Sequence, residues 1–334
     1  MKRVTSCLIA LVLVLTGCVS RVGVRNEYLR DEYCMFEIVN TFNLEFVLLT
    51  APGAPFHIPM PSAPGTNAVG NALASIDFSN SSDGYVIVSF LDPPPPNVPA
   101  MVIVVAPDGK QWTYPIMLAA NETCVIVPLA FGNGSYNIVA AEIVSDGRAS
   151  SLIAQQIDVR LSDVHAPFLR PNRWVNYTLD SNVVKKSSEL LNGVTGLIDR
   201  VRVIYNFVVA SLTYNYDLAA QVTANPNFVY IPDLDRVLAS GKGICFDYAS
   251  IMAAMLRSQG VITRMVWGWV QNPQGAPEFH AWIDVYSDVD GWLNGIVFFD
   301  GKGYSKLDPT WASSAGEEGE RHAANAPYEV QQFR

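Results

Sequence analysis

The sequence predicts an α+β protein in two parts, an all-β region followed by a mixed α+β region. Three observations carry this. Up to residue 161, short segments rich in Val, Ile and Tyr recur at strand-like lengths between turn residues. From 162 to 174, SDVHAPFLRPNRW holds two prolines and shows no period. Beyond it, apolar residues recur near every 3.6 positions and then alternate, the spacings of a helix and a strand.

The chain opens with MKRVTSCLIALVLVLTGC. Lys2 and Arg3 precede an apolar stretch, Leu8 to Leu15, that is too short to span a bilayer. Residues 1–17 therefore read as a signal peptide. Leu15-Thr16-Gly17-Cys18 resembles the lipobox of bacterial lipoproteins. That resemblance implies cleavage before Cys18, a lipid on that cysteine, and an exported protein held on the membrane or envelope surface. Residues 18–33 then form a tether. After export Cys34, Cys124 and Cys245 remain. If Cys245 is a working thiol, Cys34 and Cys124 are the only internal pair, either as a disulfide or as two buried thiols.

Residues 34–161 carry the β pattern in YVIVSFL (85–91), AMVIVVA (100–106), WTYPIML (112–118), CVIVPL (124–129), SYNIVAAEIV (135–144) and SLIAQQIDVRL (151–161). Asp108-Gly109 is a hairpin signal. Pro93 to Pro96 belong to a connecting loop, because proline cannot donate to a sheet ladder. Regular strands without helices predict an immunoglobulin-like β-sandwich. His57 and His165 are read as incidental, and 162–174 as the linker.

Residues 175–315 form the second domain. Leu197, Val201, Ile204, Tyr205, Val208 and Val209 mark one helix, and Leu234, Val237 and Leu238 a shorter one. A third runs from Cys245 to Gln259, with Ile251, Met252, Met255 and Leu256 on one stripe and Gly260 as its cap. Gly241 and Gly243 let the backbone turn sharply before Cys245. The thiol thus sits at a helix start, where unpaired N–H groups favour a thiolate and can hold an oxyanion. Asp247 opposes this, since a nearby carboxylate disfavours a thiolate. Alone, such a cysteine could equally be a small buried hydrophobe.

A thiol nucleophile needs a base and an orienting group. In EFHAWIDVY (278–286), Phe279, Ala281, Ile283 and Val285 take one face and His280, Trp282 and Asp284 the other, more polar one. GIVFFD (295–300) follows, then Asp308-Pro309-Thr310-Trp311. GKGICFDYASIMAAMLRSQGVITRMVWGWV, FHAWIDVY, Trp292 and LDPTW together resemble the transglutaminase-like superfamily of papain-like thiol enzymes, over about residues 185 to 312. VIYNFVVASLTYNYD (203–217) is similar to the segment before that family's cysteine. The resemblance implies Cys245 as nucleophile, His280 as general base and acid, and Asp308 as the residue that orients His280.

The implied activity is acyl transfer through a thioester on peptide or protein amides, with hydrolysis slightly favoured over amine transfer. Trp282 shares the face of His280 and is the candidate substrate-lining residue. Asp288, Asp290 and Gly291 read as a hairpin turn and not a calcium loop, no zinc spacing is present, and no metal or other cofactor is expected. A net charge of −9 without an internal basic block excludes nucleic acid as the main partner. Residues 316–334 are a polar, loosely ordered tail with His322 solvated. Two readings compete with the enzyme: a non-catalytic binding module on the same fold, and a β region that does the work as an adhesion module.

Overall fold

The computed structural model describes residues 58–92, 100–116, 123–144, 148–225, 229–272, 275–293, 296–299, 304–325 and 328–333, with four two-residue strands before residue 51. The signal segment, Cys18, the Cys34 side chain, His57 and Pro93 to Pro96 lie outside the described residues. The chain divides into two compact units, 1–54 and 55–334. In the first, β1 (Val24–Arg25) pairs with β3 (Glu37–Ile38), and β2 (Tyr33–Cys34) with β4 (Leu49–Thr50).

The second unit begins with two four-stranded antiparallel sheets. One has β5 (Ala68–Gly70), β6 (Ala74–Asp77), β7 (Tyr85–Phe90) and β10 (Cys124–Pro128), in the order β10-β7-β6-β5. The other has β8 (Ala100–Val105), β9 (Gln111–Ile116), β11 (Gly134–Ile143) and β12 (Ala149–Val159), in the order β12-β11-β8-β9. Strand periodicity decides which side chains go inward. In β8, Ala100, Val102 and Val104 are buried while Met101, Ile103 and Val105 are half-buried. Asp108-Gly109 forms the turn from β8 to β9, closed by Ala106 N–H donating to the Lys110 carbonyl at 2.9 Å. Val86, Val88, Val102, Tyr114 and Ile138, from both sheets, join one hydrophobic core.

That core does not stop at residue 161. It continues through Trp174, Val175 and Tyr177 into the helical region. Residues 162–174, expected to be a linker, are instead stitched into the fold. Asn172 Oδ1 accepts from the Trp174 and Val175 amides, both at 3.0 Å. Arg170 donates to the Asp83 carbonyl at 3.0 Å, and its own carbonyl accepts from buried Arg257 at 2.9 Å. Main-chain carbonyls accept from both guanidinium groups, and the Asp83 carboxylate lies 3.9 Å from Arg170, so the segment cannot swing freely.

Six helices follow: α1 (Asn182–Leu190), α2 (Leu197–Ser211), α3 (Tyr216–Ala224), α4 (Leu234–Ser240), α5 (Cys245–Arg257) and α6 (Pro309–Asn325). A short parallel pair, β13 (Thr213–Tyr214) with β14 (Lys242–Gly243), leads into α5. The main sheet is β17 (Gly291–Leu293), β16 (Pro277–Ser287), β15 (Thr263–Gln271) and β20 (Tyr328–Phe333), in the order β17-β16-β15-β20. β18 (Ile296–Phe299) and β19 (Tyr304–Leu307) form a hairpin. The single apolar stripe expected on α5 understates its burial. Every residue from Asp247 to Arg257 is buried, because α1, α2 and the strands β15 and β16 surround it.

The C-terminal segment departs from the loosely ordered tail expected of it. α6 kinks at Gly316, whose φ of 56° suits glycine, and runs on to Asn325. β20 then pairs with β15. Composition hid this, since a few apolar residues suffice: Ala323 is fully buried with Val266, Val270, Trp282 and Trp311. His322, expected to be solvated, donates from Nε2 to the Gln271 carbonyl at 2.6 Å.

Ile251 on α5 is fully buried. Ile251→Ala is expected to cost about 2–5 kcal/mol, read as a lowered urea midpoint. Tyr216→Ala, at a site 69% exposed, should stay within about 0.5 kcal/mol. Equal midpoints for the two variants would contradict the enclosed position of α5.

Candidate active site

Cys245 is the first residue of α5, after an extended Ile244. The chain arrives along β14, with Asn215 N–H bonded to the Gly243 carbonyl at 2.9 Å. A Cβ on Gly243 would stand 2.7 Å from Asp247 Cβ, so only glycine lets the Asp247 side chain fold back over the helix start. There Asp247 Oδ2 accepts from the Ile244 amide at 2.8 Å and Oδ1 from the Tyr230 hydroxyl at 2.6 Å. Burial pushes the Asp247 carboxyl up to about 6, although both hydrogen bonds pull it down. Two helix positions lie about 200° apart around the axis, so Cys245 and Asp247 face different sides. The carboxylate that looked like an obstacle to a thiolate is committed to fixing the helix start.

Cys245 is partly exposed and lines a cavity of about 460 Å³ with His280. His280 lies on β16 opposite Gly268 of β15. Its Nε2 meets Asp308 Oδ2 at 2.6 Å, with both side chains buried. Asp308 stands between β19 and α6 and caps that helix. Its Oδ1 accepts from the Thr310 and Trp311 amides at 2.9 and 3.1 Å. Pro309 fills the first helical position, where no N–H is needed. Trp311 stacks on the His280 ring, centroids 4.8 Å apart and planes 8° apart.

With Nε2 held by Asp308, the remaining ring nitrogen, Nδ1, is buried without a nitrogen or oxygen partner. Cys245 is the side chain left to it. Burial opposes a charge on His280, but the Asp308 charge and hydrogen bond outweigh it, and Cys245 adds to them. The imidazole is thereby held protonated well above the ordinary 6.5. Because this value is raised by folding, the stabilisation from the imidazolium is complete below the unfolded value of 6.5. It is lost as pH rises through the folded value.

The structure thus brings together Cys245, His280 and Asp308. It does not bring Trp282 to the cavity. That ring is buried in the cluster with Trp311 and Ala323, and its centroid is 6.5 Å from the His280 ring. The alternation of β16 is as expected, but Trp311 and Ala323 of α6 pack over Trp282 on the face read as the more polar one. Asp284 on that face is fully buried and pairs with Arg264 at 2.8 Å. The tryptophan that does line the cavity on this sheet is Trp267.

Three further contributors were not named as site residues from the sequence. Tyr230 holds Asp247 and lines the cavity. Tyr214 is close enough to Cys245 that burial, and then the sulfur's charge, raise its hydroxyl. It pairs in parallel register with Gly243, and its place in the 203–217 segment that resembles the one before the family's cysteine was the available hint. Gln111, Trp112, Thr113 and Pro115 of β9 reach the cavity from the first region of the unit.

Comparison with known proteins gives the chain a transglutaminase-like domain: residues 185–295 match the model of the Transglutaminase-like superfamily. The match holds Cys245 and His280, and Asp308 lies past its end. No curated protein matches the chain. Among solved structures, a protein from Cytophaga hutchinsonii named provisionally as a cysteine protease is 18% identical, with a TM-score of 0.31 over 52% of this chain and 55% of that one. A Parabacteroides distasonis protein named provisionally as a protease is 11% identical, with a TM-score of 0.25 over 64% of this chain and 61% of that one. The chain therefore spans less than two thirds of either.

Removing the Asp308 charge should lower the His280 pKa. In Asp308→Asn the imidazole is expected to lose its proton nearer the ordinary value of 6.5, seen by NMR titration of ring-labelled histidine. An unchanged titration would show that Asp308 does not hold that proton.

Proposed function

We propose that the chain is an exported, lipid-anchored cysteine acyl-transfer enzyme that acts on peptide or protein amides. The observation that carries this reading is the buried 2.6 Å contact from Asp308 to His280 Nε2, which leaves Nδ1 for the Cys245 thiol at the mouth of a cavity. An imidazolium beside the sulfur is the charge partner that a thiolate needs.

In the reaction the Cys245 sulfur attacks the amide carbonyl carbon. The carbonyl oxygen takes the negative charge, next to the free N–H groups at the start of α5. Collapse breaks the C–N bond as His280 gives its proton to the departing amine, leaving a thioester on Cys245. Neutral His280 then takes a proton from water, the hydroxide oxygen bonds to the acyl carbon, and the thiolate leaves with His280 protonated again. An amine in place of water would yield a cross-linked amide. Hydrolysis is the preferred outcome here. Asp308 orients the imidazole throughout.

The signal-like segment and Cys18 support export and a lipid anchor. Among the described residues no helix is long and apolar enough to cross a membrane. The two N-terminal sheets support an immunoglobulin-like arrangement. A binding module without catalysis would leave the thiol no need of access, whereas Cys245 lines the cavity.

Iodoacetamide should label Cys245 rapidly near neutral pH, and His280→Ala should slow this by about tenfold or more. Slow labelling with an ordinary thiol pH profile would remove the enzyme reading. Peptide and glutamine substrates, supplied with and without an added amine, then separate hydrolysis from transfer by product mass. For the anchor, Cys18→Ser is expected to release the protein from the membrane fraction. Unchanged fractionation would exclude lipidation there.

A further inference from the structure

We propose that the N-terminal β region is part of the substrate site. Its edge strand β9 walls the catalytic cavity and selects an extended peptide with a bulky, uncharged apolar side chain at the acyl-donor residue. This inference rests on the acyl-transfer reading of Cys245.

Among the described residues β9 ends its sheet and pairs with β8 alone. Tyr114 and Ile116 point into the core, while Gln111, Thr113 and Pro115 alternate with them. Pro115 pairs in register with Met101 and has no N–H to give, so its position turns main-chain groups away from β8. Thr113 and Gln111 share that phase and present their N–H and C=O to the same open edge. These three, with Trp112, line the cavity that holds Cys245 and His280. A strand edge beside a nucleophile is the geometry by which an extended peptide is held through main-chain hydrogen bonds.

The wall is fixed in place by ring packing. Trp112 stacks on Phe131 at 5.0 Å with planes 2° apart. Trp174 packs against Tyr114 of β9 at 6.4 Å, and on its other side against Phe246, the residue after the nucleophile, at 5.7 Å. It also meets Trp267 edge-on at 5.1 Å. One side chain therefore ties the edge strand to the start of α5 and to the histidine's sheet.

The lining defines the chemistry. Among the described residues it contains no Asp, Glu, Lys or Arg, and Trp112, Trp174, Tyr230, Phe246, Trp267 and Phe279 dominate it. At the rim Phe279 is 50% exposed and packs edge-on against Trp269, which is 41% exposed, at 5.4 Å. A charged side chain seated among these rings would lose its hydration and find no Asp, Glu, Lys or Arg beside it, whereas an apolar one would gain aromatic contact.

The test uses the full chain and peptidyl acyloxymethyl ketones that carry Phe, Leu, Gly, Asp or Lys next to the reactive group, with iodoacetamide as a side-chain-free reference. Phe and Leu probes should inactivate Cys245 about tenfold or more faster than Asp and Lys probes. Trp112→Ala should shrink the Phe-to-Gly ratio. Thr113→Lys, at an exposed strand position that tolerates substitution, should raise the Asp-to-Lys ratio by about tenfold. Equal rates across the probes, or ratios that neither variant moves, would overturn the role of β9. Failure of iodoacetamide itself to label Cys245 would instead overturn the acyl-transfer reading.

Discussion

The Asp308 carboxylate is the contact on which the rest of the site depends. One oxygen fixes His280 Nε2 at 2.6 Å, and the other caps α6 through two amides. The same side chain thus sets the imidazole's tautomer and starts the helix that covers it. α6 in turn supplies Trp311, which stacks on the imidazole, and Ala323, which closes the apolar cluster over β16. That cover buries His280, which by itself opposes a charge on the ring, so the imidazolium depends on Asp308. The histidine's protonation is therefore a property of the C-terminal segment as much as of the strand that carries it.

A second carboxylate, Asp247, does different work at the other end of the site. It is spent on the Ile244 amide and the Tyr230 hydroxyl, both within hydrogen-bond distance, and it requires glycine at 243. Burial weakens its acidity, whereas Asp308 faces a cation. Two aspartates near one thiol thus divide the tasks. Asp247 shapes the backbone that delivers the sulfur, and Asp308 holds Nε2 so that Nδ1 faces the sulfur. Trp174 adds a third constraint by fixing the β region against this pair of elements.

Much of this was legible in the residues. The period of 197–209 and of 245–259 marks α2 and α5, and the alternation of 278–286 marks β16, because periodicity reports local geometry directly. The resemblance of the motifs around Cys245, His280 and Asp308 to the transglutaminase-like superfamily pointed to one site. What the residues could not show is which surface covers which. Trp282 and Asp284 lie on the polar-looking face of β16; α6, a segment of polar composition, packs over Trp282, while Asp284 is buried against Arg264. The segment 162–174 read as a linker for a similar reason, since its prolines break periodicity while its buried Trp174 and Asn172 carry the packing. The reach of β9 into the cavity is a tertiary fact with no local pattern at all.

The central claim is that an acyl group passes through the sulfur of Cys245. The most direct measurement is the intact mass of the full chain, quenched in acid after brief exposure to an activated ester of 3-phenylpropionic acid. Acyl transfer requires a single phenylpropionyl adduct on Cys245, discharged by hydroxylamine and missing from Cys245→Ala. An unmodified chain, or an adduct that persists in Cys245→Ala, would contradict it.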